Sequence, residues 1–229
     1  MKNLFILSIV SLFFFVSCGN KPDQEKVASM LDSLKEIPAV APSDSDQFGY
    51  KTGVIVYTSS TMGITQEITM WYDDFGRKTM SEIESSVLGQ RVHQLNIVKD
   101  SLVYNIDMIS KTGSWMKMEE DSSEESYNYR TLTDEDMKKH NIVFEGKENF
   151  LGRECKIYSQ KENVNGQQVD MKVWIWEGIP LKSVSSVSGI EVTMEALQLK
   201  TDVEIPAEKF EVPKGVKMEE ARDTTNYPS

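Results

Sequence analysis

Short segments in which apolar and polar residues alternate fill most of the chain, and this alternation constrains the fold more than any other feature. The clearest example is Val169–Trp176. One face of that strand would carry Val169, Met171, Val173 and Ile175. Leu181–Val187 and Ile190–Leu199 follow and are joined at Ser188-Gly189, a turn typical of antiparallel hairpins. Because parallel strands need a long crossover, these short connections predict an antiparallel meander.

The same alternation extends upstream to Phe48. The strands predicted there are Tyr50–Thr58, Ile64–Tyr72, Arg77–Glu84, Arg91–Val98, Leu102–Ile109, Ser114–Met118, Ile142–Glu148 and Cys155–Lys161. A short helix from Thr133 to about His140 interrupts them, since Thr133 can cap a helix with an acidic first turn. Residues 48–216 are therefore predicted to form one mainly β domain with minor α and about ten or eleven strands. A flexible tail, 217–229, is predicted to follow.

The N-terminus has the pattern of an export signal that ends at a cysteine. A basic residue precedes Leu4–Val16, an apolar run that is too short to span a bilayer as a helix. The segment Phe15-Val16-Ser17-Cys18 resembles the lipobox of bacterial lipoproteins, although leucine is commoner than Phe15. The resemblance implies that residues 1–17 are removed and that Cys18 is lipidated, which would hold the protein on a membrane. The alternative, a buried cysteine ending a hydrophobic strand, is disfavoured by this position.

The residues after the cysteine bear on location. Gly19 stands where the inner-membrane retention signal of enterobacterial lipoproteins has aspartate, so the resemblance favours the outer membrane. The segment Asn20–Glu25 loosely resembles the short acidic tag with which Bacteroidota send lipoproteins to the cell surface. A solvated tether explains the same residues equally well, so the periplasmic and the surface face both stay open.

The net charge limits the classes of molecule that the protein could bind, and the cysteine content indicates the role of Cys155. The formal net charge is −11 and the acidic residues are spread along the chain, which argues against a nucleic-acid partner. If Cys18 is lipidated, Cys155 has no partner within the chain. Cys155 alternates with polar residues and shares a strand face with Ile157, so we expect a buried core thiol there and not a nucleophile.

Residues 18–47 are predicted to be a lipidated tether that contains a short amphipathic helix. Apolar residues recur at helical spacing before Pro38, at Val27, Met30, Leu31, Leu34 and Ile37. Such a helix could pack on the sheet or lie near the membrane. It could also plug or cover a groove, and the pattern leaves these alternatives open.

The sequence carries no recognisable catalytic, cofactor or metal motif. It has no G-x-S-x-G, H-E-x-x-H or C-x-x-C arrangement and no phosphate-binding loop. The acidic stretch Glu119–Ser126 has enough carboxylates and hydroxyls for Ca²⁺, but its spacing matches no calcium loop and a solvated loop is the simpler interpretation. We therefore expect a protein that is not an enzyme and uses no cofactor.

Several turn and strand segments together resemble the LolA/LolB superfamily of envelope lipid-handling proteins. The segments that carry the resemblance are Tyr72–Arg77, Ile97–Tyr104, Gly146–Gly152 with Cys155, Trp174–Lys182, and Ile205-Pro206 with Phe210–Pro213. The resemblance implies a single strongly curved antiparallel sheet, a half-barrel, with helices covering its concave side. It also implies a lipid or another hydrophobic or amphiphilic ligand in the hollow, but no ligand-contacting residue of the family aligns securely.

Methionine and aromatic residues on the predicted strands are the candidate ligand-binding residues, because such a ligand needs an apolar lining of adaptable side chains. The candidates are Met70, Tyr72, Met108, Met171, Met194, Trp174 and Trp176. The methionines could equally fill the core of a curved sheet. Two further functions stay open: a non-enzymatic interaction or scaffold protein of the envelope with a self-filled core, and a surface lipoprotein that binds glycans through Trp174 and Trp176.

Overall fold

A computed structural model of the protein describes residues 24–87, 90–118, 127–164 and 167–221. Helix α1 spans Gln24–Asp32, helix α2 spans Asp134–Lys139, and Asp74–Gly76 and Ala207–Phe210 form 3-10 turns. The strands are β1 Gly53–Thr61, β2 Ile64–Asp73, β3 Lys78–Val87, β4 Gln90–Lys99, β5 Leu102–Asp107, β6 Thr112–Lys117, β7 Ile142–Phe150, β8 Arg153–Val164, β9 Gln167–Trp176, β10 Ile179–Val187, β11 Ile190–Thr201 and β12 Lys217–Glu220. Within these ranges no helix has the length and apolarity needed to cross a bilayer.

The strands form one sheet in the order β12-β6-β5-β4-β3-β2-β1-β11-β10-β9-β8-β7. Strand β1 therefore pairs with β2 and with the distant β11. The pairings are antiparallel, apart from that of the edge strand β12 with β6, which is parallel. The predicted class, a mainly β half-barrel made from a single sheet, is confirmed.

Over the described residues the sheet has twelve strands, where the sequence predicted about ten or eleven. The additional strand β12 lies beyond Val216, in residues predicted to be a tail. The amide of Lys217 donates to the carbonyl of Lys111 at 3.0 Å, and Met218 packs into an apolar cluster beside Gly113. A four-residue strand with three charged side chains gives no alternation signal, and only its pairing with β6 fixes it.

The hairpin of β1 and β2 is longer than predicted. The sequence suggested a connection at Ser59–Gly63, but β1 continues to Thr61, and Ser59 pairs with Gln66. Only Met62 and Gly63 form the turn. Their φ angles of 50° and 78° are the positive values that a two-residue hairpin turn requires. Ser59 therefore belongs to the sheet and not to a loop.

Helix α1 is docked on the sheet. Val27 and Leu31 are buried in a cluster that includes Val54 and Val56 of β1. Lys200 Nζ of β11 donates to the carbonyl of Leu31 at 3.1 Å, at the end of the helix where a cation is favourable. The helix ends earlier than its predicted limit, and the chain packs it on the sheet, which is one of the alternatives that the sequence left open.

Helix α2 begins as predicted from its capping pattern. Thr133 Oγ1 accepts from the amide of Asp136 at 3.1 Å, and the Asp136 carboxylate accepts from the amide of Thr133 at 3.0 Å. The hydroxyl and then the amide of Thr133 lower the pKa of Asp136. The predicted start of this helix is confirmed.

The core lies on both sides of β1. Val54 and Val56 are buried on one face of the strand, and Ile55 and Tyr57 on the other. Cys155 is fully buried in the cluster of Ile55 and Tyr57, so the predicted core thiol is confirmed. Burial raises the pKa of this thiol, which makes it a poor nucleophile.

Candidate functional site

The register of the strand pairs assigns each strand residue to one of two faces, and one face carries no charge across its centre. On β4, β3, β2, β1, β11, β10 and β9, the face that includes Ile55 and Ser59 of β1 consists of uncharged residues only. We call this surface the uncharged face. One cross-strand row of it runs through Gln66, Ser59, Met194, Ser183 and Val173.

The opposite surface of the same seven strands, here the charged face, is rich in acidic and basic side chains. Its charged residues include Glu82, Glu84, Arg91, Lys172, Lys182 and Glu195. Lys182 Nζ lies 2.6 Å from Glu195 Oε1, and Arg91 pairs with Glu84. Cross-strand ion pairs of this kind belong on a surface that faces water, where each is worth little.

Apolar side chains form most of the uncharged face. Ile68, Ile83 and Met194 are only 7%, 4% and 5% exposed, and Met70 and Met171 are half-buried. Aliphatic and thioether groups of this kind offer the adaptable apolar contact that an acyl chain needs.

The polar groups of the uncharged face are hydroxyls and amides. Asn96 Nδ2 donates to Asn105 Oδ1 at 2.7 Å. Ser59 is 1% exposed, and its Oγ has no hydrogen-bond partner in the described part of the chain. An unpaired buried hydroxyl costs about 1–3 kcal/mol, so such a group is uncommon unless something else serves it.

Helix α2 and the segment before it cover one end of the uncharged face. Tyr127, Tyr129, Leu132 and Met137 pack over a cluster of Ile142, Tyr158, Val173 and Ile175 on β7, β8 and β9. Gln160 holds this cover, because its Oε1 accepts from the Tyr127 hydroxyl at 3.0 Å and its Nε2 donates to the carbonyl of His140 at 2.9 Å. Burial raises the pKa of Tyr129 well above its usual value. The tyrosines here are therefore neutral.

The predicted ligand residues fall on both faces. Met70, Tyr72, Met171 and Met194 lie together on the uncharged face, whereas Met108 and, by strand register, Trp174 lie on the charged face. Trp174 and Trp176 adjoin the irregularity at Pro180/Lys182 and pack in the same apolar cluster as Ile55 and Tyr57. Met108 packs in the apolar cluster beneath α1. Alternation along a single strand separates its residues into two faces. It does not show which face matches that of a distant strand, so the candidates could be sorted only once the strand pairing was known.

Tyr72 lies at the end of the uncharged face away from the β1–β2 turn. Its ring packs edge-on against Phe48, with 5.0 Å between centroids, and its hydroxyl lies over Gly53 of the neighbouring strand. Any side chain at Gly53 would collide with it. The tyrosine is fully buried and burial raises its pKa. It therefore belongs to the core and not to a surface that a ligand could contact.

The two tryptophans are engaged by neighbouring side chains. Trp174 is 8% exposed and its Nε1 donates to Glu148 Oε2 at 2.8 Å, while Lys172 and Lys182 lie over its ring. The ring of Trp176 stacks on another aromatic ring: the Tyr50 centroid is 4.9 Å away. These contacts stabilise the packing of β9 and β10.

The residue that sequence reasoning missed is Ser59. The run Ser59-Ser60-Thr61 reads as a turn because all three residues have short polar side chains. The signal that could have found it is the pair Met62-Gly63, which alone suffices for a tight turn and extends β1 through Thr61.

A separate cavity of about 300 Å³ lies between the end of α1, strand β11 and the turn of β7 and β8. Leu31, Leu151 and Leu197 contribute apolar surface, and Arg153 and Lys200 contribute positive charge. Both cations already have partners, since Lys200 donates to carbonyls of the α1 segment and Arg153 donates to the carbonyl of Leu151. The cavity therefore offers fewer free polar groups than its composition suggests.

Two predictions fall on residues that the structure does not describe. The lipidation site Cys18 precedes residue 24, and the acidic stretch Glu119–Ser126 lies in the gap between residues 118 and 127. Within the described ranges, no cluster of three or more His, Cys, Asp or Glu side chains could hold a metal ion.

Comparison with known proteins shows which solved structures have a similar fold. No family model and no curated protein matches the chain. The structure is similar to that of an uncharacterized conserved protein from Thermus thermophilus, with a TM-score of 0.50 and 9% identity over 75% of this chain and 91% of that chain. A LolA superfamily protein from Nitrosomonas europaea matches over 86% of this chain and 98% of that chain, with a TM-score of 0.31 and 9% identity. The chain therefore shares the fold of the Thermus thermophilus protein.

A third similar structure is the MucA/MucB complex of Pseudomonas aeruginosa. It matches with a TM-score of 0.42 and 11% identity over 70% of this chain and 55% of that chain. This chain thus spans about half the length of that neighbour. Identities this low concern the fold alone, so the function has to be argued from the site.

Proposed function

We propose that this protein is a membrane-anchored envelope lipoprotein that binds a lipid, or another hydrophobic or amphiphilic molecule, on the uncharged face of its half-barrel. The observation that carries the proposal is the lack of charge on that face over the described residues of seven adjacent strands. The chain as a whole has a net charge of −11, and the other face of the same strands is densely charged. A surface kept free of charge in such a chain favours apolar contact.

The two faces differ in what they could bind. Each methylene group that leaves water gains about 0.8 kcal/mol, so an acyl chain binds wherever apolar surface receives it. Against the charged face the same chain would strip water from carboxylates and ammonium groups, at a cost of several kcal/mol per ion. The uncharged face carries no such cost.

Lipidation of Cys18 would supply the anchor. Cys18 precedes Gln24, the first residue of α1, by only six positions, and α1 is docked on the sheet. Six extended residues reach roughly 20 Å, so the domain would stay close to the membrane. This tether is shorter than residues 18–47, because the docked helix belongs to the domain.

Binding by burial needs no chemistry, and we propose that the protein is not an enzyme. The buried thiol of Cys155 has a raised pKa and donates weakly to the carbonyl of Arg153, at 3.6 Å. His93, one of two histidines in the chain, bonds to Glu82 on the charged face, away from the proposed ligand. The proposed roles are thus those of a carrier or a receptor.

Mass spectrometry of molecules that copurify with the mature protein under gentle conditions tests the binding function. We expect a lipid or another apolar molecule in stoichiometric amount. Met70→Lys should abolish the copurification, because it places a charge on the uncharged face. Thr69→Lys is the matched control: Thr69 is equally half-buried on the same strand but lies on the charged face. Equal ligand content in both variants, or none in the wild type, would count against the proposal.

Fractionation of the cell envelope tests the anchor. Cys18→Ser should release the protein from the outer-membrane fraction and remove labelling by radioactive palmitate, because serine cannot form the thioether. Cys155→Ser changes the other cysteine and leaves Cys18 intact, so its labelling should match that of the wild type. Persistent labelling of the Cys18→Ser variant would refute the anchor.

A second candidate function, a scaffold with a self-filled core, is favoured by one observation. Ile68, Ile83 and Met194 on the uncharged face are already nearly inaccessible to water. In that case the acidic surface would meet a protein partner. Crosslinking in cells that recovers one stoichiometric protein, together with a purified protein free of lipid, would favour the scaffold.

A further inference from the structure

We propose that the ligand of the uncharged face is an amphiphile whose polar part is itself uncharged, as in a glyceride, and that the hydroxyl of Ser59 hydrogen-bonds to that polar part. This inference rests on the binding function proposed above and names the chemical class of the ligand. Three observations support it: the position of the polar groups, the burial of the Ser59 hydroxyl without a hydrogen-bond partner, and the distribution of charge.

Several polar groups of the uncharged face occur in two neighbouring cross-strand rows near the β1–β2 turn. Ser59 lies in a row with Gln66 and Ser183, and Ser185 lies in the row of Thr61. Neighbours within a row are about 5 Å apart, and successive rows of one face are about 7 Å apart. A single headgroup of a few atoms could therefore contact several of these groups at once.

Ser59 is the member of these two rows whose hydroxyl is fully buried without a partner among the described residues, as is the Tyr72 hydroxyl farther along the same face. Ser59 is 1% exposed, and no described residue accepts from or donates to its Oγ. Its cross-strand neighbour on β11 is Met194, whose thioether is at best a weak acceptor. Ser60, the next residue, lies on the charged face and has a partner in Thr65 Oγ1 at 3.3 Å. A ligand that brings a hydroxyl or a carbonyl would complete the bonding of Ser59.

The charge distribution disfavours an anionic headgroup. None of the residues that the seven central strands place on this face is lysine or arginine. The flanking strands continue the face with three acids, Asp107 on β5 and Glu154 and Glu162 on β8, while Lys156 of β8 is exposed at the far end. A phosphate or carboxylate buried on this face would thus find no countercharge, which makes its burial unfavourable. A hydroxyl, ester or amide group needs only hydrogen bonds.

Three probes that share one acyl chain separate the headgroup classes: 1-oleoylglycerol, oleate and oleoyl lysophosphatidate. Equilibrium dialysis of the radiolabelled probes against the full processed protein at pH 8 gives the three dissociation constants. We expect 1-oleoylglycerol to bind at least about tenfold more tightly than either anion, since only the anions lose hydration without a countercharge.

The variant Ser59→Ala tests the serine. It should weaken the binding of 1-oleoylglycerol about fivefold, the loss expected for one hydrogen bond, and leave the binding of 1-octadecene unchanged. Ser60→Ala, on the same strand and the opposite face, should change neither affinity. The thermal unfolding of the ligand-free Ser59→Ala variant should occur at or above the wild-type temperature, because the variant loses an unpaired hydroxyl and no protein hydrogen bond.

The outcomes distinguish this inference from the function on which it rests. Equal or tighter binding of oleate or lysophosphatidate would overturn the neutral ligand class and leave the binding function intact. An unchanged affinity of Ser59→Ala for 1-oleoylglycerol would overturn the role of Ser59. Failure of all probes, 1-octadecene included, together with a lipid-free purified protein, would overturn the binding function itself.

Discussion

The two faces of the sheet differ in where they carry charge and in how their apolar residues are covered. One large apolar patch of the charged face is covered by the chain itself: Val27 and Leu31 of α1, with Phe210 of the second 3-10 turn, pack on Val54, Val56 and Trp71. Beyond that patch it carries ion pairs such as Lys182 with Glu195. A surface that meets water on one side of an antiparallel sheet is expected to look like this.

The uncharged face is covered by α2 at its β7–β9 end, and its central strands stay free of charge well beyond that cover. A face that met only water would tolerate lysine or glutamate at many positions, as the other face does. The contrast shows that the composition of this sheet follows from what each face contacts, because the preference of a residue for a strand depends on the packing and burial of the face on which it lies.

The largest expected effect comes from moving a charge across the sheet. Met194→Lys should lower the free energy of unfolding by about 4 kcal/mol, because it buries an unpaired ammonium group on the uncharged face. Thr193→Lys puts the same side chain one residue earlier, on the charged face next to Glu195, and should change the stability by less than about 0.5 kcal/mol. Urea unfolding of both variants measures the difference.

The same two variants test whether the two faces differ in their contact with water. If Thr193→Lys destabilised the protein as much as Met194→Lys, the faces would not differ in their contact with water. Circular dichroism of the folded variants serves as the control for misfolding, and a normal strand signal is expected in each.

A smaller effect is expected where α1 covers the charged face. Leu31→Ala should lower the free energy of unfolding by about 3 kcal/mol, because it leaves a cavity beneath a side chain that is 5% exposed. Ser29→Ala changes an exposed residue of the same helix and should have little effect. A wild-type stability of Leu31→Ala would mean that α1 is dispensable and that its apolar patch needs another cover.

The sequence predicts the elements of this fold well because their signals are local. The alternation of Val169–Trp176 and the turn at Ser188-Gly189 depend on neighbours within a few residues, and the structure has strands and a turn there. The cap at Thr133 and the buried thiol of Cys155 are local or one-strand arguments of the same kind. Each of these predictions is confirmed.

The faces could not be predicted because they depend on pairing between distant strands. Met171 and Trp174 lie on one strand, yet their faces can be matched to those of β1 only through β10 and β11. Two irregularities, at Val56/Tyr57 and at Pro180/Lys182, shift the register on the way. A single-residue shift moves a whole strand's residues to the other face, so the candidate set mixed the two surfaces.

The smallest effect concerns the cover of the uncharged face. Thr133→Ala removes the acceptor of the Asp136 amide and should lower the free energy of unfolding by about 1 kcal/mol, the usual contribution of an N-cap. Thr131→Ala, an exposed threonine two residues earlier, should have no comparable effect. Thermal unfolding compares the two, and amide hydrogen exchange in α2 shows whether the loss is local to the cover.

The same variant has a pH dependence of known sign. Because the Thr133 hydroxyl is the main cause of the lowered pKa of Asp136, and its amide the next, the stabilisation is present above the ordinary carboxyl pKa. It is lost as the pH falls through the lowered, folded-state pKa. In Thr133→Ala only the amide bond remains, so the pKa of Asp136 should rise towards its ordinary value and this acid-sensitive part should shrink. An NMR titration that found the same Asp136 pKa in both proteins would mean that the cap does not hold α2 over β7, and that the helix depends on Met137 and its apolar contacts alone.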